Sequence, residues 1–72
     1  MARYNVVEVR TSAAGRGRAI FRKNLTKGEA SRVETAENEK ALKAYNATIE
    51  EARERGVEAS PPIVGYIVQP AK

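Results

Sequence analysis

The stretch from Thr26 to Gly56 constrains the fold most, because it carries a helix start signal at one end and a stop signal at the other. Thr26-Lys27-Gly28-Glu29 matches the capping box. In that motif the cap hydroxyl accepts the N–H of the third helical residue, and the glutamate reaches back to the cap amide. Leu25 before the cap and Ala30 inside it form a weak hydrophobic staple. At the far end, Gly56 follows Glu54-Arg55 where a left-handed residue closes a helix, and Arg53 and Arg55 face the negative end of the dipole. No proline intervenes, and Ala, Glu, Lys and Arg, all good helix formers, dominate. Glu39/Lys43, Glu50/Arg53 and Glu51/Arg55 stand at ion-pair spacing. The pattern predicts a helix over 27–55.

Its apolar stripe is thin. Ala30, Val33, Ala41, Tyr45, Ile49 and Ala52 recur at three- and four-residue spacing, interrupted by Glu34, Glu37 and Asn38, with Leu42 at one margin. Val33, Ala41, Tyr45, Ile49 and Ala52 are therefore the candidate core or dimer face. A bend, a break or solvent exposure is expected over 34–40, around Glu37-Asn38.

The flanks read as strands. Residues 3–10, rich in Val with Tyr4, and residues 18–23, with Ile20 and Phe21, form a hairpin over 3–23. Its predicted tip is a long flexible loop, Thr11 to Gly17, with Gly15 and Gly17 able to take positive φ. After the helix, Pro61-Pro62 favours an extended chain. Residues 63–68, Ile-Val-Gly-Tyr-Ile-Val, form the most apolar run and the strand expected to be best buried. The result is one small α+β domain over 1–72, with order β-β-α-β. Its three-stranded antiparallel sheet, order 2-1-3, packs one face on the helix and leaves the other open.

Length sets a tension. A 29-residue helix spans about 43 Å, whereas strands of seven residues cover about 23 Å. Either the helix breaks near Glu37-Asn38 or its overhang packs on another chain, and a symmetric homodimer is the common solution.

Composition narrows the chemistry. The 72 residues include no cysteine and no tryptophan, and neither histidine nor aspartate occurs. Disulfides, thiolate metal sites and the usual catalytic bases are thereby removed. Ser12, Ser31 and Ser60 sit in no nucleophile motif, and the glutamates lie mostly along the helix as a solvated face. The expectation is a protein that is not an enzyme and takes no cofactor or metal. No apolar run approaches a membrane span, and no signal-peptide core opens the chain, so a cytoplasmic location is expected.

The net charge of +4 is unevenly distributed. Residues 1–27 hold seven basic side chains against Glu8 alone, and residues 28–58 hold eight acidic against five basic. Arg10, Arg16, Arg18, Arg22 and Lys23 gather around the hairpin as a candidate contact for nucleic acid or an acidic partner. Gly15-Arg16-Gly17 is neither a phosphate loop nor a repeated glycine-arginine tract, and reads as turn chemistry.

A hairpin followed by Asn24-Leu25-Thr26-Lys27-Gly28-Glu29-Ala30 opening a helix resembles small accessory proteins encoded by phages of actinobacteria. The resemblance covers about the first half of the chain. It implies a small non-catalytic protein, an inhibitor or modulator of a host or defence protein, and assigns no site residues. Another protein is thus the expected partner, with nucleic-acid binding through the basic hairpin as the second reading.

Tyr45 and Ile49 are the bulkiest members of the apolar stripe. Ile49→Ala is expected to destabilise strongly, by about 2–5 kcal/mol if the site is packed. Glu39→Ala, on the polar side, should change stability by less than about 0.5 kcal/mol. Chemical denaturation of both variants checks the orientation of the helix.

Overall fold

The structure, a computed structural model, describes residues 2–71. It contains β1 (Tyr4–Ser12), β2 (Gly15–Leu25), α1 (Lys27–Glu54) and β3 (Ile63–Pro70). The sheet is antiparallel with order β2-β1-β3. The expected α+β topology is therefore the observed one.

The hairpin is tighter than the sequence suggested. Its loop is Ala13-Ala14 alone, with Ser12 paired to Gly15. Only Gly15 takes positive φ, at 130°, so Gly17 needs no special backbone freedom. A turn of ordinary residues closed by a positive-φ glycine is a standard hairpin solution. The Ser12 hydroxyl accepts the Ala14 N–H at 3.2 Å and ties down the turn.

β2 runs on past Lys23 to Leu25 because two irregularities absorb its extra length. Ile20 pairs with Val7 and Arg22 with Val6, which leaves Phe21 without a partner on β1. Nearer the helix, Asn24 takes φ 56° and its N–H donates to the Asn5 side chain at 3.1 Å. Asparagine tolerates that left-handed conformation better than most residues. Such bulges bend a strand and deepen its twist.

Both helix signals operate as read. The Thr26 hydroxyl accepts the Glu29 N–H at 3.2 Å, and the Glu29 carboxylate accepts the Thr26 N–H at 3.0 Å. The Thr26 backbone bond, then its hydroxyl, holds the Glu29 carboxyl below its ordinary pKa. At the other end Gly56, at φ 71°, donates to the Arg53 carbonyl, and the Val57 N–H donates to the Ala52 carbonyl. That pair of bonds is a Schellman closure. Of the three anticipated ion pairs, Glu51–Arg55 forms, at 2.7 Å, whereas Glu39/Lys43 and Glu50/Arg53 do not. Lys40 instead pairs with Glu37 at 3.2 Å, a contact the sequence reading did not single out.

No break occurs at Glu37-Asn38: α1 is continuous. Asn38 is instead the residue that docks it. Its side-chain oxygen accepts the Tyr66 N–H at 2.8 Å, and its side-chain nitrogen donates to the Tyr66 carbonyl at 3.1 Å. An N–H has one hydrogen to give, so Tyr66 turns these backbone groups away from β1 toward the free edge of β3. The asparagine amide thus acts as one residue of a missing neighbouring strand. It satisfies an edge that would otherwise invite pairing.

The helix therefore crosses the sheet obliquely. It leaves β2, buries Ala30 near the start of β1, and passes over the edge of β3 at Asn38. Val6 and Ala30 are fully buried, and Val7 and Ala52 nearly so. Val6 and Val7 point to opposite sides of β1, and Val7 lies between its paired residues Ile20 and Ile67 on the face that α1 does not cross. β3 is not the best-buried strand, since Ile63 and Ile67 are exposed. The overhanging end of α1 rests on its own connector. Ala52 is buried beneath the Val57 turn, and Ile49 lines a groove with Val57, Ala59 and Ser60. Of the candidate helix face, Ala52 is buried and Val33, Ala41, Tyr45 and Ile49 are half-buried.

Removing the Asn38 side chain strands two polar groups of Tyr66 that are partly shielded from water. Unsatisfied buried groups of this kind cost about 1–3 kcal/mol. Asn38→Ala is expected to lose that much in chemical denaturation, and Asn38→Asp, which cannot donate to the carbonyl, should also destabilise.

Candidate partner-binding surface

β2 is one outer strand of the sheet, with β1 on one side and no strand on the other. It carries Arg16, Arg18, Arg22 and Lys23 and no acidic residue. Every residue in it is exposed except Phe21 and Leu25, which are half-buried. Alternation along the strand then divides the five predicted contact residues rather than pooling them.

Arg16 and Arg18 stand opposite Thr11 and Val9, on the sheet face that α1 does not cross. Arg10 belongs to the other face, where its guanidinium lies 3.6 Å from the Glu8 carboxylate. Arg22 is drawn to the same side by the bulge. Its guanidinium sits 4.4 Å from the Phe21 ring centroid and donates to the Phe21 carbonyl at 3.1 Å. A cation over an aromatic face gains about 0.5–1 kcal/mol at an exposed site. Lys23 is exposed beside it. The basic hairpin therefore presents cations along both sides of a ribbon and at its outer edge.

The sequence reading missed the cluster behind Arg22. Phe21 meets Tyr66 edge-to-face with centroids 5.1 Å apart, and the Tyr66 hydroxyl donates to Glu8 at 3.0 Å. Glu8 thus joins Tyr66 and Arg10, and this links all three strands across one face. Partial burial, then the hydrogen bond and charge of Glu8, raises the Tyr66 phenol above its ordinary pKa. Only the pairing register could have revealed this, because Glu8 and Tyr66 lie opposite each other in β1 and β3.

Nothing in these contacts resembles a reacting centre. Among the described residues no group of His, Cys, Asp or Glu side chains could hold a metal ion, and no helix is long and apolar enough to cross a membrane. No buried side-chain nitrogen or oxygen lacks a hydrogen-bond partner among the described residues. No family model, curated protein or solved structure matches the chain.

The raised phenol has a definite pH signature. Its stabilisation is fully present below the ordinary phenol pKa of about 10 and is lost as pH rises through the higher folded value. Denaturation followed across that alkaline range should show a decline for the native chain that is smaller for Tyr66→Phe. At neutral pH, Tyr66→Phe should cost about 0.5–1.5 kcal/mol or slightly more, given the charged acceptor.

Proposed function

We propose that the chain is a non-catalytic binding protein that offers its basic outer strand β2 to an acidic segment of another protein. One observation carries this reading. The free edge of the sheet is lined by Arg16, Arg18, Arg22 and Lys23, exposed and without an acidic neighbour on the strand. A free edge supplies backbone donors and acceptors for an added strand, and its side chains set which strand is accepted. Here those side chains select negative charge and discourage self-pairing, since like charges directly opposite destabilise a ladder. The partner fits the role that the resemblance to actinobacterial phage accessory proteins implies, a host or defence component held and modulated by binding.

Nucleic acid is the second reading, favoured by the same excess of arginine on a two-stranded ribbon. The division of the cations argues for the first. A duplex approaches a ribbon from one side, but Arg10 and Arg22 face away from Arg16 and Arg18 and are engaged by Glu8 and Phe21. An added strand meets the edge itself and can use cations from both sides.

A fluorescently labelled peptide of alternating glutamate and valine is the test probe, with a random-sequence DNA duplex for comparison. Saturable binding of the peptide is expected. It should weaken with salt and fall by roughly tenfold, or about 1.4 kcal/mol, in the double variant Arg22→Glu/Lys23→Glu. Tighter binding of the duplex than of the peptide at low salt would favour the second reading, because phosphate contacts are strongest there. Absence of binding to both probes would overturn both.

A further inference from the structure

We infer that the sheet face not crossed by α1 is a homodimer interface, covered in solution by a second copy of this chain. This inference is independent of the function proposed for β2.

The first argument is surface area. A compact monomer of 7.9 kDa should expose about 4,400 Å² by the usual scaling of accessible area with mass. This chain exposes 5631 Å². The surplus, about 1,200 Å², exceeds the roughly 800 Å² that each partner contributes to a standard interface. Shape agrees. The radius of gyration is 14.7 Å, against about 11 Å for a compact domain of this length. The Cα atoms occupy a plate of 52 × 23 × 10 Å. Stacked layers alone stand about 10 Å apart, so a plate this thin has no second layer over most of its area.

The second argument is where the apolar surface lies. By register, Val7, Val9, Ile20, Ile63 and Ile67 share the open face, with Val7 already buried between its neighbours and the isoleucines exposed around it. Ile20 is 53%, Ile63 60% and Ile67 36% exposed. Leu42, 62% exposed, extends the patch onto the helix, lining a groove with Ile63 and Asn38. The groove around Leu42, lined also by Ala41, Tyr45 and Val64, carries no charge, although α1 is otherwise densely charged. Charge depletion at the centre of a patch, with Arg16 and Arg18 at its rim, is the composition of an interface core.

The third argument is Gly65. It sits in mid-strand opposite Val9, in regular register and without positive φ. Glycine there weakens the strand, and its common justifications are a bulge, a tight bend or the close approach of another chain. A Cβ at this position would meet nothing within 4 Å. Neither backbone conformation nor a neighbour among the described residues requires the glycine. The hollow it leaves, lined also by Ile63 and Ile67, admits an apolar side chain from a second copy.

Sedimentation velocity of the full chain should give twice the 7.9 kDa monomer mass at micromolar concentration. Leu42→Glu changes an exposed helix position and should leave the circular dichroism intact. It should also raise the dimer dissociation constant by at least about tenfold. Gly65→Val should do the same while the monomer stays folded, because valine suits a strand and meets no neighbour. Ala36→Glu, exposed on the helix about a third of a turn round from Leu42, should leave the dimer unchanged. A native chain that remains monomeric at high micromolar concentration overturns the inference, as does a dimer indifferent to both Leu42→Glu and Gly65→Val. The monomeric Leu42→Glu protein should still bind the acidic peptide, so the two proposals fail separately.

Discussion

The side-chain amide of Asn38 against the backbone of Tyr66 is the contact on which the arrangement depends. It places α1 across the edge of β3 rather than squarely over the sheet, and it satisfies that edge with two hydrogen bonds. An interior polar residue on a mostly apolar stripe usually weakens a helix docking site. Here it is the docking site. The polar run around it persists as regular helix because Glu34, Glu37 and Asn38 are only half-buried, with Asn38 bonded to β3 and Glu37 to Lys40.

An oblique helix leaves much of a small sheet bare. Among the described residues the core reduces to Val6, Val7, Ala30 and Ala52, while larger apolar side chains stand at the surface. One face is tied together by Glu8, Tyr66, Phe21 and Arg22, and the other is apolar with arginines at its margin. The free edge β2 is basic. The second copy we propose on the apolar face would reconcile the marginal core of a single copy with the stability a folded domain needs. Two copies would then present two basic edges on one particle, and a partner with repeated acidic segments would gain avidity.

Much of this was legible in the sequence. The capping box, the closing glycine and the three apolar runs are local signals, and each set an element where it lies. The tension between helix length and strand length was also visible, but not its resolution. The connector after Gly56 folds back under Ala52 and Ile49, and no periodicity announces that. The hairpin loop was read as too long because small residues such as Thr11, Ser12 and Gly17 resemble loop composition while pairing perfectly well as strand. Bulges at Phe21 and Asn24 are invisible to alternation, so the sides taken by Arg22 and Phe21 could not be assigned. Asn38 read as an interruption because its partner is a backbone group 28 residues away. The basic residues were found, but their division between two faces required the register.

The claim that a second copy covers the open face is tested most directly by isotope-filtered NMR on a mixture of labelled and unlabelled chain. The account predicts contacts between copies from the methyl groups of Val9, Ile63, Ile67 and Leu42, and loss of those contacts on dilution. Contacts arising instead from the face that holds Glu8 and Tyr66, or no contacts between copies at any concentration, would contradict it.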